Sequence, residues 1–267
     1  MVVIERRLAG LFAYKMVFFA PQRQITSIAE NLRPTEIARF FYTSDRFSGP
    51  RVPIRSERSF TICNDLLLPV SKIWKGFAHC NHTDIRKADG LGSRVRIERN
   101  EKAPRSDFLS VFNEFARLKD GVRPISARLL RRYEPFSDRI VLYLDEQPSV
   151  VMLMLRDRGS GRVRGLYQGS RRLQDSAHAR VIGNLNRFLH WHNMRAYREE
   201  GFRQYDWGGI SQDEMDGRTT FKMSFGGRVV EEYSHIYAGW ARLGLVFQTL
   251  FEFGTSRGRM ARKARLS

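Results

Sequence analysis

Two residues late in the chain have the types and surroundings that proton or anion chemistry needs. Asp206 lies in Gly201-Phe-Arg-Gln-Tyr-Asp-Trp-Gly-Gly-Ile210, and Lys222 in Phe221-Lys-Met-Ser-Phe-Gly-Gly227. A carboxylate at a strand end can orient or deprotonate an amine once burial or a neighbouring charge tunes it; it can equally cap the next turn through its side chain. A lysine on a glycine-rich turn is a point charge suited to an oxyanion or a phosphate, and it can also be a plain surface residue beside a structural Gly-Gly turn. The pairs Gly208-Gly209 and Gly226-Gly227 let a ligand come close to the main chain. Tyr205, Trp207, Phe221 and Phe225 read as walls of a core or pocket. These aromatic residues and glycines form the expected substrate- and donor-binding set, with Lys222 and Asp206 as the expected catalytic pair.

The elements that must position them are legible from periodicity. Ala177, Val181, Leu185, Phe188, Leu189, Trp191 and Met194 form an inward stripe on a helix over Asp175–Glu200, with Gly201 beyond its end. Arg139–Leu144 and Val150–Leu155 flank Asp145-Glu-Gln-Pro-Ser149 as a hairpin, and Val163–Gln168 adds a third strand. Earlier, Phe108, Val111, Phe112 and Phe115 define a helix to about Lys119 that Asp120-Gly121 ends. Leu67, Val70, Ile73, Trp74 and Phe77 predict a helical stretch within Leu66–Ala88, and Arg94–Arg99 alternates like a strand. The order hairpin, strand, long helix, strand, short helix, strand predicts an α/β or α+β fold with a mixed sheet.

The 267 residues carry a formal charge of +18, which favours anionic partners such as nucleotides, nucleic acid or an acidic membrane surface without choosing among them. Arg123, Arg128, Arg131, Arg132, Arg171 and Arg172 can bind phosphate in bidentate fashion or form a solvated basic face. Two cysteines, Cys63 and Cys80, argue against a disulfide framework and fit a reducing cytosol. His79-Cys80-Asn81-His82 lacks a second ligand pair for zinc, so no metal is expected. Gly159–Gly165 has neither the spacing nor the Lys-Ser/Thr of a P-loop, and no Gly-x-Ser-x-Gly elbow occurs. The apolar run Leu8–Ala20 is too short to span a bilayer and reads as a buried element. From residue 239 the sequence predicts an amphipathic helix with a basic tail, packed on the core or lying on an anionic membrane.

The pair Tyr205-Asp-Trp-Gly-Gly209 and Phe221-Lys222…Phe225-Gly226-Gly227 resembles the FemAB-like branch of the Gcn5-related N-acyltransferase (GNAT) superfamily, over about Ser106–Tyr237. The resemblance implies a mixed central β-sheet flanked by helices, and a site that takes an activated acyl group from acyl-CoA, or in some members from aminoacyl-tRNA, and passes it to an amine. The donor is then a co-substrate and no further cofactor is implied. The lysine matching Lys222 is implied to stabilise the oxyanion or a donor phosphate. The helical arm of full-length bridge-forming relatives is not evident here, which counts against tRNA. The expected organisation is a reduced N-terminal subdomain over 1–103, an acyltransferase domain over 104–238 and a tail over 239–267. The expected acceptor is an amine on a cell-envelope precursor, glycan or related metabolite, handled in the cytoplasm with contact to the inner membrane surface. Two rivals are a non-catalytic basic module for nucleic acid or anionic lipid, and an inert acyltransferase-like scaffold.

Overall fold

Strands rich in β-branched and aromatic residues alternate with 3.6-periodic helices, and the computed structural model, which describes residues 1–8, 12–44, 51–210 and 217–239, arranges them in two compact units. One consists of Met1–Ser59 and the chain from Glu231 onward, the other of Phe60–Val230. The expected tail after residue 239 lies outside the described residues.

In the first unit β1 (Val2–Leu8) runs antiparallel to β2 (Phe12–Phe18), and β2 runs parallel to β3 (Glu36–Thr43). Helix α1 (Gln22–Glu30) makes the crossover that a parallel pair requires. Within the Leu8–Ala20 run, β2 is a strand buried over Met16, Val17 and Phe18. Val17, Ile25, Ala29, Phe40 and Tyr237 form the unit's core, with Phe40 and Tyr237 edge to face at 5.5 Å. Tyr237 belongs to β10 (Arg228–Ala238), which pairs antiparallel with β3.

The second unit begins within β4 (Arg55–Asp65) and continues through α2 (Val70–Lys75), α3 (His79–Asp89), β5 (Val95–Arg99), α4 (Arg105–Leu118) and α5 (Ala127–Tyr133). Then follow β6 (Ser137–Leu144), β7 (Gln147–Asp157), β8 (Arg162–Ser170), α6 (Ala179–Glu199), β9 (Gln204–Ile210) and α7 (Gly217–Met223). Its sheet order is β4-β9-β8-β7-β6-β5, antiparallel throughout except for β8 with β9. Every residue of β6 is buried because helices cover both faces: α4 packs on β6, β7 and β8, and α6 on β7 and β8. Ile140, Leu142, Val150 and Met152 join Leu185, Leu189 and Met194 of α6 in one core. The hairpin turn is Asp145-Glu146, both residues left-handed at φ 47 and 63, so β7 starts at Gln147, before the expected Val150.

Two expectations need correction. The division does not fall at residue 103: β5 pairs with β6 and α3 packs on α6, so residues 60–103 share the second unit's core, while β10 supplies the first unit. The Leu66–Ala88 stretch is two helices parted at Gly76, and Leu67 stands before them at 67% exposure, outside the buried stripe.

The turn after α7 is fixed by a close approach. Gly226 has φ +68, and a Cβ there would lie 2.1 Å from the Gly76 carbonyl oxygen. Replacing Gly226 with Ala is therefore expected to cost about 1–3 kcal/mol, read as a lower denaturant midpoint at unchanged slope.

Candidate active site

Strands β8 and β9 pair through three rungs, Arg162 with Gln204, Val163 with Tyr205 and Arg164 with Asp206, and then part. The parting is forced locally. Gly208 has φ +77, and a Cβ on it would lie 2.8 Å from the Gly165 carbonyl oxygen, so the two main chains approach there because Gly208 carries no side chain. Beyond that contact opens a groove of about 1060 Å³. Trp207, Gly208 and Gly209 of β9, Phe221 and Lys222 of α7, and Arg187 of α6 line one part of it. Lys119, Arg123, Arg172 and Arg218 also border the groove, and among the described residues none that lines it is an aspartate or glutamate.

Asp206 sits at the apex, fully buried. Its Oδ2 accepts from Arg162 Nε at 2.7 Å and from Arg164 Nη1 at 2.7 Å. Its Oδ1 accepts from Thr61 Oγ1 at 2.5 Å and from the Gly208 amide at 2.9 Å. Burial alone would raise this carboxyl; the guanidiniums of Arg164 and Arg162, with Thr61 and Gly208, outweigh it and hold the group below the ordinary carboxylate range. Both oxygens are engaged away from the groove, so the expected role of Asp206 in handling an acceptor amine does not fit its setting. Asp206 instead fixes the apex and, through the Gly208 amide, the bend of the strand end.

Lys222 lies on the last turn of α7, one element earlier than the glycine turn expected for it. Its Nζ donates to the Gly209 carbonyl at 2.7 Å and the Gly208 carbonyl at 3.1 Å, which places the ammonium at the strand end that borders the groove. The turn behind it is anchored by buried amides: Asn64 Nδ2 donates to the Phe225 carbonyl at 2.8 Å, and Asn81 Nδ2 to the Ser224 carbonyl at 2.8 Å. Asn81 belongs to the His79–His82 segment, which therefore serves α7. The Arg187 guanidinium lies 5.0 Å from the Phe221 ring and bonds Asn81 Oδ1 at 2.9 Å.

The remaining expected binding residues separate into two groups. Gly208, Gly209, Trp207 and Phe221 border the groove. Tyr205, Phe225, Gly226 and Gly227 do not; they form its support. Tyr205 is buried with its hydroxyl 2.8 Å from His190 Nδ1, and Phe225 is buried with its ring 4.5 Å from Trp207. A Cβ on Gly227 would meet Ile62 at 2.5 Å, so this glycine is a packing requirement. Trp207 Nε1 donates to Asn64 Oδ1 at 2.7 Å, so its indole is a buried wall. His190 is fully buried, and burial first, then Lys222 and Arg187, drives it well below the usual histidine range; it stays neutral. Of the six arginines considered as phosphate ligands, Arg123 and Arg172 reach the groove, and the Arg172 side chain lies over Gly183 near the start of α6. Arg162, Arg164 and Thr61 were not among the expected site residues. The Arg-x-Arg at the start of β8 was the available signal, since two like charges on alternate strand positions share one face and need a common partner.

A mixed sheet whose one parallel pair parts over a basic groove, with a crossover helix between those two strands, matches the expected mixed central sheet flanked by helices. No family model and no curated protein sequence matches the chain. Solved structures do. FemX covers 88% of this chain and 83% of its own at TM-score 0.61 and 10% identity. A C-terminal domain assigned to a lysylphosphatidylglycerol synthetase of Agrobacterium fabrum covers 93% and 84% at TM-score 0.54 and 12% identity. L-PGS from Bacillus licheniformis covers 89% and 80% at TM-score 0.51 and 11% identity. At these identities the likeness is one of fold, and it bears out the expected fold class. Among the described residues no group of His, Cys, Asp and Glu could hold a metal, and no helix is long and apolar enough to cross a membrane.

Replacing Asp206 with Asn would leave two largely buried guanidiniums without their shared carboxylate, at an expected cost of about 3–5 kcal/mol in denaturant unfolding. The pH dependence has a definite sign. The folded carboxyl lies below its unfolded value of 3.8, so its contribution is full above that value and is lost as pH falls through the folded one. Stability measured from pH 5 downward should therefore fall more steeply in the wild type than in Asp206→Asn.

Proposed function

We propose that this chain is an N-acyltransferase that moves an acyl or aminoacyl group from a thioester or ester donor to an amine on a cell-envelope precursor, glycan or related metabolite. The observation that carries the reading is the groove at the parting of β8 and β9, bordered among the described residues by six lysines and arginines and by no carboxylate. Donors of this kind, acyl-CoA or aminoacyl-tRNA, are polyanions, and a concave cationic surface concentrates and orients them. The shared fold with FemX and with the lysylphosphatidylglycerol synthetase structures supports the same reading.

The chemistry follows from what borders the groove. The acceptor nitrogen forms a bond to the donor carbonyl carbon, the C–S or C–O bond to the carrier breaks, and the nitrogen loses a proton. Lys222 supplies positive charge where the oxyanion develops, and the Gly208 and Gly209 carbonyls that hold its Nζ keep that charge in place. Among the described residues no aspartate, glutamate or histidine borders the groove. The amine reacts as the free base, the proton that its nitrogen loses on acylation ends through water on the departing thiolate or alkoxide, and Asp206 acts by positioning the strand end.

The test is transfer together with ligand-induced stabilisation. Thermal melts against acyl-CoAs, free CoA and charged tRNA should give a rise with one donor class; a native-state ligand at a hundredfold excess over Kd contributes about 2.7 kcal/mol. With that donor, Lys222→Ala is expected to lower kcat/KM for amide formation by about 10²–10³, the usual loss on removing one oxyanion-stabilising group. If no donor raises the melting temperature at low or moderate salt and no amide forms, the enzymatic reading fails and the basic-module or scaffold reading gains; if the variant transfers as fast as the wild type, the role given to Lys222 fails.

A further inference from the structure

We propose that the face formed by the Leu67-Leu68 turn, helix α2 and the adjoining side of α6 docks on an anionic phospholipid bilayer. This inference does not rest on the acyl-transfer reading and uses none of its groove residues. Leu67 is 67% exposed and Leu68 40%, although Leu66 and Ile73 on either side are buried, so a core was within reach and these two side chains were turned away from it. The turn that presents them is held by bonds to its backbone groups. The Leu66 amide donates to the Arg203 carbonyl at 2.8 Å, the Leu67 amide to Asp65 Oδ1 at 2.9 Å, and Arg198 Nε to the Leu68 carbonyl at 3.2 Å. With the Leu66 and Leu67 amides and the Leu68 carbonyl bonded internally, the turn carries two leucines outward with three of its backbone polar groups already paired.

The charge around the leucines is of one predominant sign. Lys72 and Lys75 are exposed on α2. Trp191, Arg195 and Arg198 follow one another along a single side of α6 at helical spacing. The Trp191 ring lies 5.1 Å from that of Trp74 on α2, and Arg86 lies 6.0 Å from the Trp74 ring. Against these cations stand Asp65, already bonded to the Leu67 amide, and Glu199. Exposed leucines at a tip, partly exposed indoles behind them and lysines around the rim form the layered pattern that suits a membrane interface: apolar groups enter the acyl boundary, indoles sit at headgroup level, and ammonium groups meet lipid phosphates. Two leucines offer too little apolar area for a stable protein interface, which needs about 800 Å² on each partner; a bilayer needs no such complementary partner surface.

Flotation of the full chain with vesicles tests this. Wild type is expected to float with phosphatidylglycerol–phosphatidylcholine vesicles and far less with phosphatidylcholine alone, and to dissociate as salt rises. Leu67→Ser/Leu68→Ser and Lys72→Glu/Lys75→Glu should each weaken the partition by about tenfold or more, with melting temperatures unchanged because all four side chains face solvent. Three results would overturn the proposal: no flotation of the wild type, equal binding to neutral vesicles, or binding indifferent to the leucine pair. A lowered melting temperature in the serine variant would do so as well, since it would mean that the leucines are covered within the protein. Retention on an immobilised acidic polypeptide that needs the lysines but not the leucines would assign the face to an acidic protein instead.

Discussion

The buried carboxylate of Asp206 is the constraint on which the site's geometry depends. It closes the last rung between β8 and β9, gathers the two guanidiniums of Arg162 and Arg164, and bonds the Gly208 amide, so sheet, strand end and bend are settled by one side chain. A buried ion pair adds little stability relative to a well-packed apolar cluster. What this one adds is position. Thr61 on β4 bonds both Asp206 Oδ1 and, at 3.0 Å, the Gly208 carbonyl, so the outer neighbour of β9 grips the same bend from the other side. The Gly208 and Gly209 carbonyls that hold Lys222 are therefore fixed by interactions that never reach the groove themselves.

A second layer explains why α7 stays where it is despite its shortness. A seven-residue helix is not stable alone. Here its C-terminal turn is tied by Asn64 and Asn81, by the close approach of Gly226 to Gly76, and by the Phe225 ring packed among Trp207, Phe77 and Phe221. Asn64 serves two elements at once, accepting from Trp207 and donating to Phe225. The glycine pairs of the two motifs thus divide their work. Gly208-Gly209 shapes the groove, whereas Gly226-Gly227 permits the packing that holds the lysine's helix.

That division was only half legible from the amino-acid sequence. Periodicity located α4, α6, the β6–β7 hairpin and the strands at Val163 and Tyr205, because each buries a continuous apolar face and so leaves a strong repeat. It did not reveal that residues 60–103 complete the same sheet, since β5 and β4 make their partnerships with strands distant in sequence and carry charge on alternate positions. Nor could it separate Tyr205 and Phe225, which support the site, from Phe221, which borders it: an aromatic side chain next to a glycine has the same appearance in either position. Asp206 was legible as a residue that matters and illegible in its role, because that role is set by Arg162 and Arg164 from a different strand. Leu67 satisfied the helical spacing and is nonetheless exposed, since the helix begins after Pro69.

The pattern of charge then restricts what chemistry the groove can host. An enzyme that removed a proton from an ammonium acceptor would keep a carboxylate or an imidazole at the point of reaction. Two such groups described near the groove are engaged elsewhere: Asp206 is saturated by four donors, and His190 is sealed beneath Trp207 with its Nδ1 turned to Tyr205. Among the described residues, the charged side chains at the groove are all cations. Such a surface stabilises negative charge and does little to remove protons, so in a transfer reaction its contribution would lie in binding the polyanionic donor and in lowering the energy of the oxyanion. The cations near the groove also disfavour the protonated form of an approaching amine by like-charge repulsion, which shifts the acceptor toward the nucleophilic free base without any residue acting as a base.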